Sequence, residues 1–91
     1  MEYCVYVLIS NSDNKTVSYV GYTKNIKKRL SLHNISRGAK FTKGRKWIVL
    51  HKEIYDSKSK AMSREYKLKK DKKFRNILKE RFMKKNYSLL Y

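Results

Sequence analysis

A seven-residue apolar run at residues 3–9 (YCVYVLI) constrains the fold more than any other stretch. It is short, continuous and rich in β-branched and aromatic side chains, so it reads as a strand buried on both faces. Residues 10–15 (SNSDNK) are turn chemistry, and residues 17–21 (VSYVG) read as the returning strand of a hairpin. Thr23 or Asn25 then offers an N-cap for a helix over 26–36, with Ile26, Leu30 and His33 at i, i+4 and i+7. A basic loop at 37–46 (RGAKFTKGRK) leads to a third strand at 47–54 (WIVLHKEI). Asp56 or Ser57 can cap a helix ending at Lys70. Asp71 can cap another, along which Phe74, Leu78 and Phe82 form an apolar stripe. The tail at 86–91 is apolar and is expected to pack back on the sheet. The order β-β-α-β-α-α predicts an α+β fold, a small three-stranded antiparallel sheet flanked by helices.

Length and charge narrow the function. Ninety-one residues predict a single domain, 1–91, with a thin core. Few residues break regular structure, since there is no proline and only three glycines. The 24 lysines and arginines against seven acids give a formal charge of +17, which calls for a polyanionic partner, with nucleic acid leading. An aromatic share of 13% separates the chain from a disordered basic tail. No apolar run approaches the ~20 residues of a membrane span. Glu2 stands where a secretion signal needs a basic region, and the lone Cys4 excludes an internal disulfide, so an intracellular, reducing location is expected.

Glu65 is the most informative acid. On a helix over 59–70 (SKAMSREYKLKK), Ala61, Glu65 and Leu68 share one stripe that should face the core. A carboxylate there must be paired or bound to metal, because an isolated buried charge is too costly. Both readings, an ion pair with a nearby Lys or Arg and a metal ligand, are open. If the hairpin is symmetric about Ser12–Asp13, Tyr6 and Tyr19 lie opposite each other with Cβ atoms ~5 Å apart. Two phenols side by side are either an aromatic core pair or the wall of a polar pocket. Arg29 and His33 lie at i, i+4, at the boundary between core and solvent. Around the glycine loop, Lys40, Lys43 and Arg45 are candidates for phosphate contacts. Gly21, at a strand end, is either a turn residue or a point of close approach.

Cys4-Val5-Tyr6, Tyr19-Val20-Gly21, Arg29, His33 and Glu65, in that order and spacing, resemble the signature of the GIY-YIG nuclease superfamily. The likeness covers roughly residues 3–70, leaving 71–91 as a basic helix and tail. The segments YVGYTKNIKKRLSLHN, GAKFTKGRKW and AMSREYKLKK are similar to small stand-alone members and to branched-DNA nucleases of that superfamily. One departure is Cys4, where the family has glycine. The resemblance implies that Tyr6 activates the attacking water and that Tyr19 helps hold the nucleophile or phosphate. It implies further that Arg29 stabilises phosphate charge, that His33 relays a proton, and that Glu65 binds one divalent cation, Mg2+ or Mn2+. It implies a metal-dependent endonuclease acting on DNA, branched, flapped or single-stranded, that leaves 5′-phosphate and 3′-hydroxyl ends. A homodimer or a partner subunit is compatible with it.

Phosphodiester hydrolysis needs such a set of groups. A hard cation keeps several waters, so one carboxylate suffices when substrate phosphate supplies further oxygen. Arginine's fork matches phosphate geometry. A phenol with its usual pKa near 10 is a poor base at neutral pH and needs nearby positive charge to lower that value, so Tyr6 is expected to be depressed in the metal-bound enzyme. The rival from another class is a non-catalytic basic nucleic-acid-binding protein, which composition alone fits but which leaves Glu65 and the paired tyrosines without a role.

Overall fold

The computed structural model describes residues 2–12 and 15–90. Its order is strand β1 (Tyr3–Ser12), strand β2 (Lys15–Thr23), helix α1 (Ile26–Asn34), a 3-10 turn (Lys40–Thr42), strand β3 (Ile48–Tyr55), helix α2 (Lys58–Lys70) and helix α3 (Lys72–Leu90). The three strands form one antiparallel sheet in the order β2-β1-β3, so the apolar run becomes the central strand. This is the expected α+β order, with longer hairpin strands and a first helix that ends two residues early. Ser36, just beyond it, adopts a left-handed φ of 61°.

Alternation along β1 splits the core in two. Val5 and Val7 pack with Val20, Ala61 and Leu68, against which Phe74 and Leu78 of α3 also lie. Cys4, Tyr6 and Leu8 pack with Trp47, and Tyr19, Ile26 and Leu30 close that second cluster. Helices α2 and α3 therefore cover one face and α1 the other, which is why a continuous apolar run could be buried completely. Each such aliphatic side chain contributes about 1.5–3 kcal/mol by leaving water.

The hairpin register corrects the sequence reading. Ser12 pairs with Lys15, Leu8 with Tyr19 and Tyr6 with Gly21. The two tyrosines are diagonal rather than directly opposite. A shift of two residues preserves side-chain parity, so both still project from one face. Opposite β1, strand β3 carries a bulge: Val7 pairs with His51 while Leu8 pairs with Val49.

Caps fix the helix ends. The Asn25 side chain accepts the Lys28 N–H at 3.1 Å, Ser57 accepts that of Lys60 at 3.2 Å, and Asp71 accepts that of Phe74 at 3.0 Å. Strand β3 is pinned to α2 by Glu53, which accepts from Arg64 at 2.8 and 3.1 Å, from the Tyr55 hydroxyl at 2.5 Å, and bonds His51 at 2.7 Å. These partners, Arg64 foremost, hold the Glu53 carboxyl down at about 2. The Arg75 side chain closes the end of α2, donating to the Leu68 carbonyl at 3.0 Å and the Lys69 carbonyl at 2.9 Å, and reaches Ser18 on β2 at 3.3 Å. The expected packing of the 86–91 tail on the sheet concerns side chains outside the described residues. Among the described residues, no helix is long and apolar enough to cross a membrane.

Candidate active site

Tyr6 lies in the central strand, 1% exposed, and its ring passes over Gly21 on β2. A Cβ at Gly21 would stand 2.5 Å from the Tyr6 hydroxyl oxygen and 2.7 Å from Cζ, so glycine is required there by the tyrosine ring. Of the two readings open to Gly21, close approach is the operative one.

The Tyr6 hydroxyl meets His33 Nε2 at 3.0 Å. On the other side of the imidazole, Nδ1 lies 2.8 Å from Thr42 Oγ1, and the Thr42 hydroxyl donates to the Ala39 carbonyl at 2.8 Å. Thr42 has one proton to give, so its oxygen accepts from His33 Nδ1–H. That leaves Nε2 with its lone pair, accepting the Tyr6 proton. The network thus assigns both the tautomer and the direction of the chain, from Tyr6 through His33 and Thr42 to Ala39. His33 is fully buried, which differs from the boundary position its spacing suggested. Burial, then the Arg29 charge, hold its pKa below the usual value, so the imidazole is neutral and free to accept.

His33 is enclosed by the loop between α1 and β3. A side chain at Gly38 would collide with the imidazole. Asn34 clasps the loop's far end, accepting the Trp47 N–H and donating to the Trp47 carbonyl at 3.0 Å. The indole N–H of Trp47 donates to the Thr42 carbonyl at 2.9 Å, which fixes Thr42 beneath the histidine. Trp47 precedes β3 and fills the core, rather than opening the strand as its hydropathy predicted.

Burial pushes the Tyr6 phenol up to about 12; the Arg29 guanidinium works against this, while Tyr19 and Glu65 add to it. The chain's own groups thus push it opposite to the depressed value expected once metal is bound. The same interactions place Arg29, Tyr19 and Glu65 within electrostatic reach of one hydroxyl. Arg29 is half-buried on α1, and Tyr19 is half-buried on β2, its ring 5.2 Å from that of His33. Glu65 comes from α2, on the opposite face of the sheet, beside Ala61 and Leu68 as its spacing predicted. Its carboxylate is 17% exposed and pairs with Lys69 at 2.9 Å. The ion pair left open by the sequence is therefore formed, and the carboxylate also lies in the field of Tyr6.

Among the described residues, no group of three or more His, Cys, Asp or Glu could hold a metal ion. Glu65 nonetheless fits a hydrated hard cation, as a partly exposed carboxylate within electrostatic reach of the Tyr6 phenol, because magnesium-type ions take one or two carboxylates and retain their waters. Lys40 and Lys43 are exposed on the 3-10 turn and its end, and Arg45 is half-buried in the same loop. The structure therefore gathers Tyr6, Tyr19, Arg29 and His33 on one side of the sheet and sets Glu65 within electrostatic reach of Tyr6 from the other. Sequence reasoning missed Thr42, and it read Gly38 and Phe41 only as parts of the basic loop, without their contacts to His33 and Tyr19. Loop residues follow no periodicity, and the one signal was the pair of glycines that bracket them.

A family model described as the GIY-YIG catalytic domain matches residues 2–86. A UPF0213 protein of Staphylococcus haemolyticus is 50% identical over 52 residues, which cover 56% of this chain and 63% of that protein. A UPF0213 protein of Natronomonas pharaonis is 43% identical over 65 residues, covering 70% and 75%. The chain thus spans less than two thirds of the first relative's length and three quarters of the second's. The solution NMR structure of a UPF0213 protein from Bacillus halodurans is similar with a TM-score of 0.49 and 29% identity, over 88% of this chain and 84% of that one.

Proposed function

The chain belongs to the GIY-YIG catalytic domain family, and on that premise we propose that residues 1–91 form one metal-dependent endonuclease domain, which hydrolyses DNA phosphodiester bonds to 5′-phosphate and 3′-hydroxyl ends. The observation that carries this reading is the directed chain from the Tyr6 hydroxyl to a neutral, buried His33.

Water attacks phosphorus and gives its proton to the Tyr6 oxygen as the Tyr6 proton passes to His33 Nε2. Two transfers over one hydrogen bond each let a phenol serve as base without a standing tyrosinate. The imidazolium that forms keeps its Nδ1–H on Thr42, so the ring does not turn as charge appears. Arg29, beside the same hydroxyl, takes the growing negative charge on the phosphate oxygens and, being cationic, opposes premature protonation of His33. Tyr19 orients water or phosphate from the neighbouring strand. Glu65 would hold one Mg2+ or Mn2+, which supplies charge neutralisation at phosphorus and at the leaving oxygen. Before substrate arrives, Lys69 occupies that carboxylate. Lys40, Lys43 and Arg45 contact flanking phosphates, giving salt-dependent, sequence-blind affinity. The same charge and chemistry suit an intracellular protein with DNA as its partner.

The test is cleavage of labelled duplex, flap, four-way-junction and single-stranded DNA with magnesium, manganese or EDTA. Tyr6→Phe, Arg29→Ala and Glu65→Ala are run alongside. Loss of metal-dependent cutting in all three, with DNA binding retained, is expected. Cutting that persists in all three removes the proposal.

A further inference from the structure

Phe41 sits at the centre of the basic loop and is 60% exposed. One face of its ring lies almost parallel to Tyr19, centroids 6.1 Å apart at 21°, and Trp47 supports it at 6.3 Å. A large aromatic ring held rigidly with its other face in water is costly, and neither Tyr6 nor His33 uses it. It borders an open groove of about 310 Å³ at the outer edge of β2, whose other walls are Ser18, Tyr19 and Val20 of that strand with Lys69 and Arg75. Arg75 is anchored there by neutral oxygens of Leu68, Lys69 and Ser18. Those bonds use three of the five N–H donors of a guanidinium and leave two for a ligand.

An aromatic platform facing fixed cations across a groove has the chemistry of a nucleotide, a flat base at one end and a phosphate at the other. The bases of an intact duplex have both faces covered by their neighbours, so only an unpaired base has a face to offer. We propose that Phe41, with Lys69 and Arg75 across the groove, forms a subsite for one unpaired nucleotide of DNA next to the scissile phosphate, and that this subsite directs the protein to single-stranded and flapped DNA rather than to continuous duplex. The proposal rests on the nuclease reading for its place beside the scissile bond, while the binding it describes needs no cleavage.

The experiment measures binding in EDTA of labelled oligothymidylate, of a strand of the same length that is abasic throughout, and of a hairpin duplex with the same number of phosphates. The proteins are wild type, Phe41→Ala, Phe41→Leu and Phe41→Trp. Loss of one stacked base weakens single-strand binding by about tenfold. Phe41→Ala and Phe41→Leu should both show that loss on oligothymidylate and stay within about twofold of wild type on the duplex, with Phe41→Trp retaining full affinity. On the abasic strand the four proteins should converge. Equal losses on single strand and duplex, or no loss on either, overturn the subsite. Should Phe41→Ala fail to fold, Leu against Trp decides the same question, since both keep the ring's bulk apolar and only Trp keeps a π-face. Cleavage of these strands by wild type in magnesium is scored separately. Cutting without dependence of binding on Phe41 removes the subsite alone, whereas dependence on Phe41 without cutting removes the nuclease reading and leaves the subsite.

Discussion

Gly21 and Tyr6 face each other across the hairpin, and the tyrosine ring occupies the space a β-carbon on Gly21 would need. The ring has little room to yield, because its hydroxyl is held by His33 at 3.0 Å. Gly21→Ala should therefore cost about 1–3 kcal/mol by overpacking, read as a lower denaturant midpoint at unchanged slope. It should also displace the Tyr6 hydroxyl and remove cleavage while DNA binding remains. An alanine variant of wild-type stability and activity would contradict the crowding.

On the proposed mechanism, His33 links activity and stability to pH with the same sign. Its folded pKa lies below the ordinary 6.5, so the folded protein binds fewer protons than the unfolded chain just below that pH. Stability is whole above 6.5 and falls as pH drops through 6.5 towards the folded value. Cleavage should fall on the same side, because imidazolium no longer accepts from Tyr6. His33→Gln should flatten the acid limb of the stability curve and lose cutting at every pH. A wild-type acid limb that survives in His33→Gln would assign it to another group.

Glu53 makes a separate prediction in strong acid. With its carboxyl held at about 2 against an ordinary 4.5, its contribution is complete above 4.5 and is lost as pH falls from there towards 2. Glu53→Gln should cost about 2 kcal/mol at neutral pH, since it leaves the Arg64 fork without its charged acceptor. It should cost little near pH 2, which thermal melts across that range would read.

Glu65→Gln should lose metal-dependent cleavage by about two orders of magnitude or more. DNA affinity in EDTA should hold or rise, because one negative charge leaves the site and Lys69 is released from its ion pair. A parallel loss of affinity and cutting would make Glu65 a scaffold for α2 rather than a ligand.

Much of this was legible before any coordinates. The order of elements followed from one apolar run, three caps and a helical stripe, because each is a local pattern that tertiary contacts reinforced. The diagonal placement of Tyr6 and Tyr19 was not legible, since the polar residues at 10–15 are turn formers throughout and set no register. Both tyrosines still project from one face because strands have a period of two. Burial of His33 was invisible for another reason. It depends on Thr42, Gly38 and Trp47, which reach it through an irregular loop. The Glu53 cluster joins β3 to α2 over eleven residues, and no spacing rule links a strand carboxylate to a helix guanidinium.

Tyr6 on β1 and His33 on α1 lie on one side of the sheet, whereas Glu65 arrives with α2 on the other. The proposed reactive centre exists only when both helical layers have docked. A copy emerging from synthesis or beginning to melt would still cling to DNA through its lysines, yet be chemically silent. On the proposed mechanism, competence to cut is thus withheld until folding is finished.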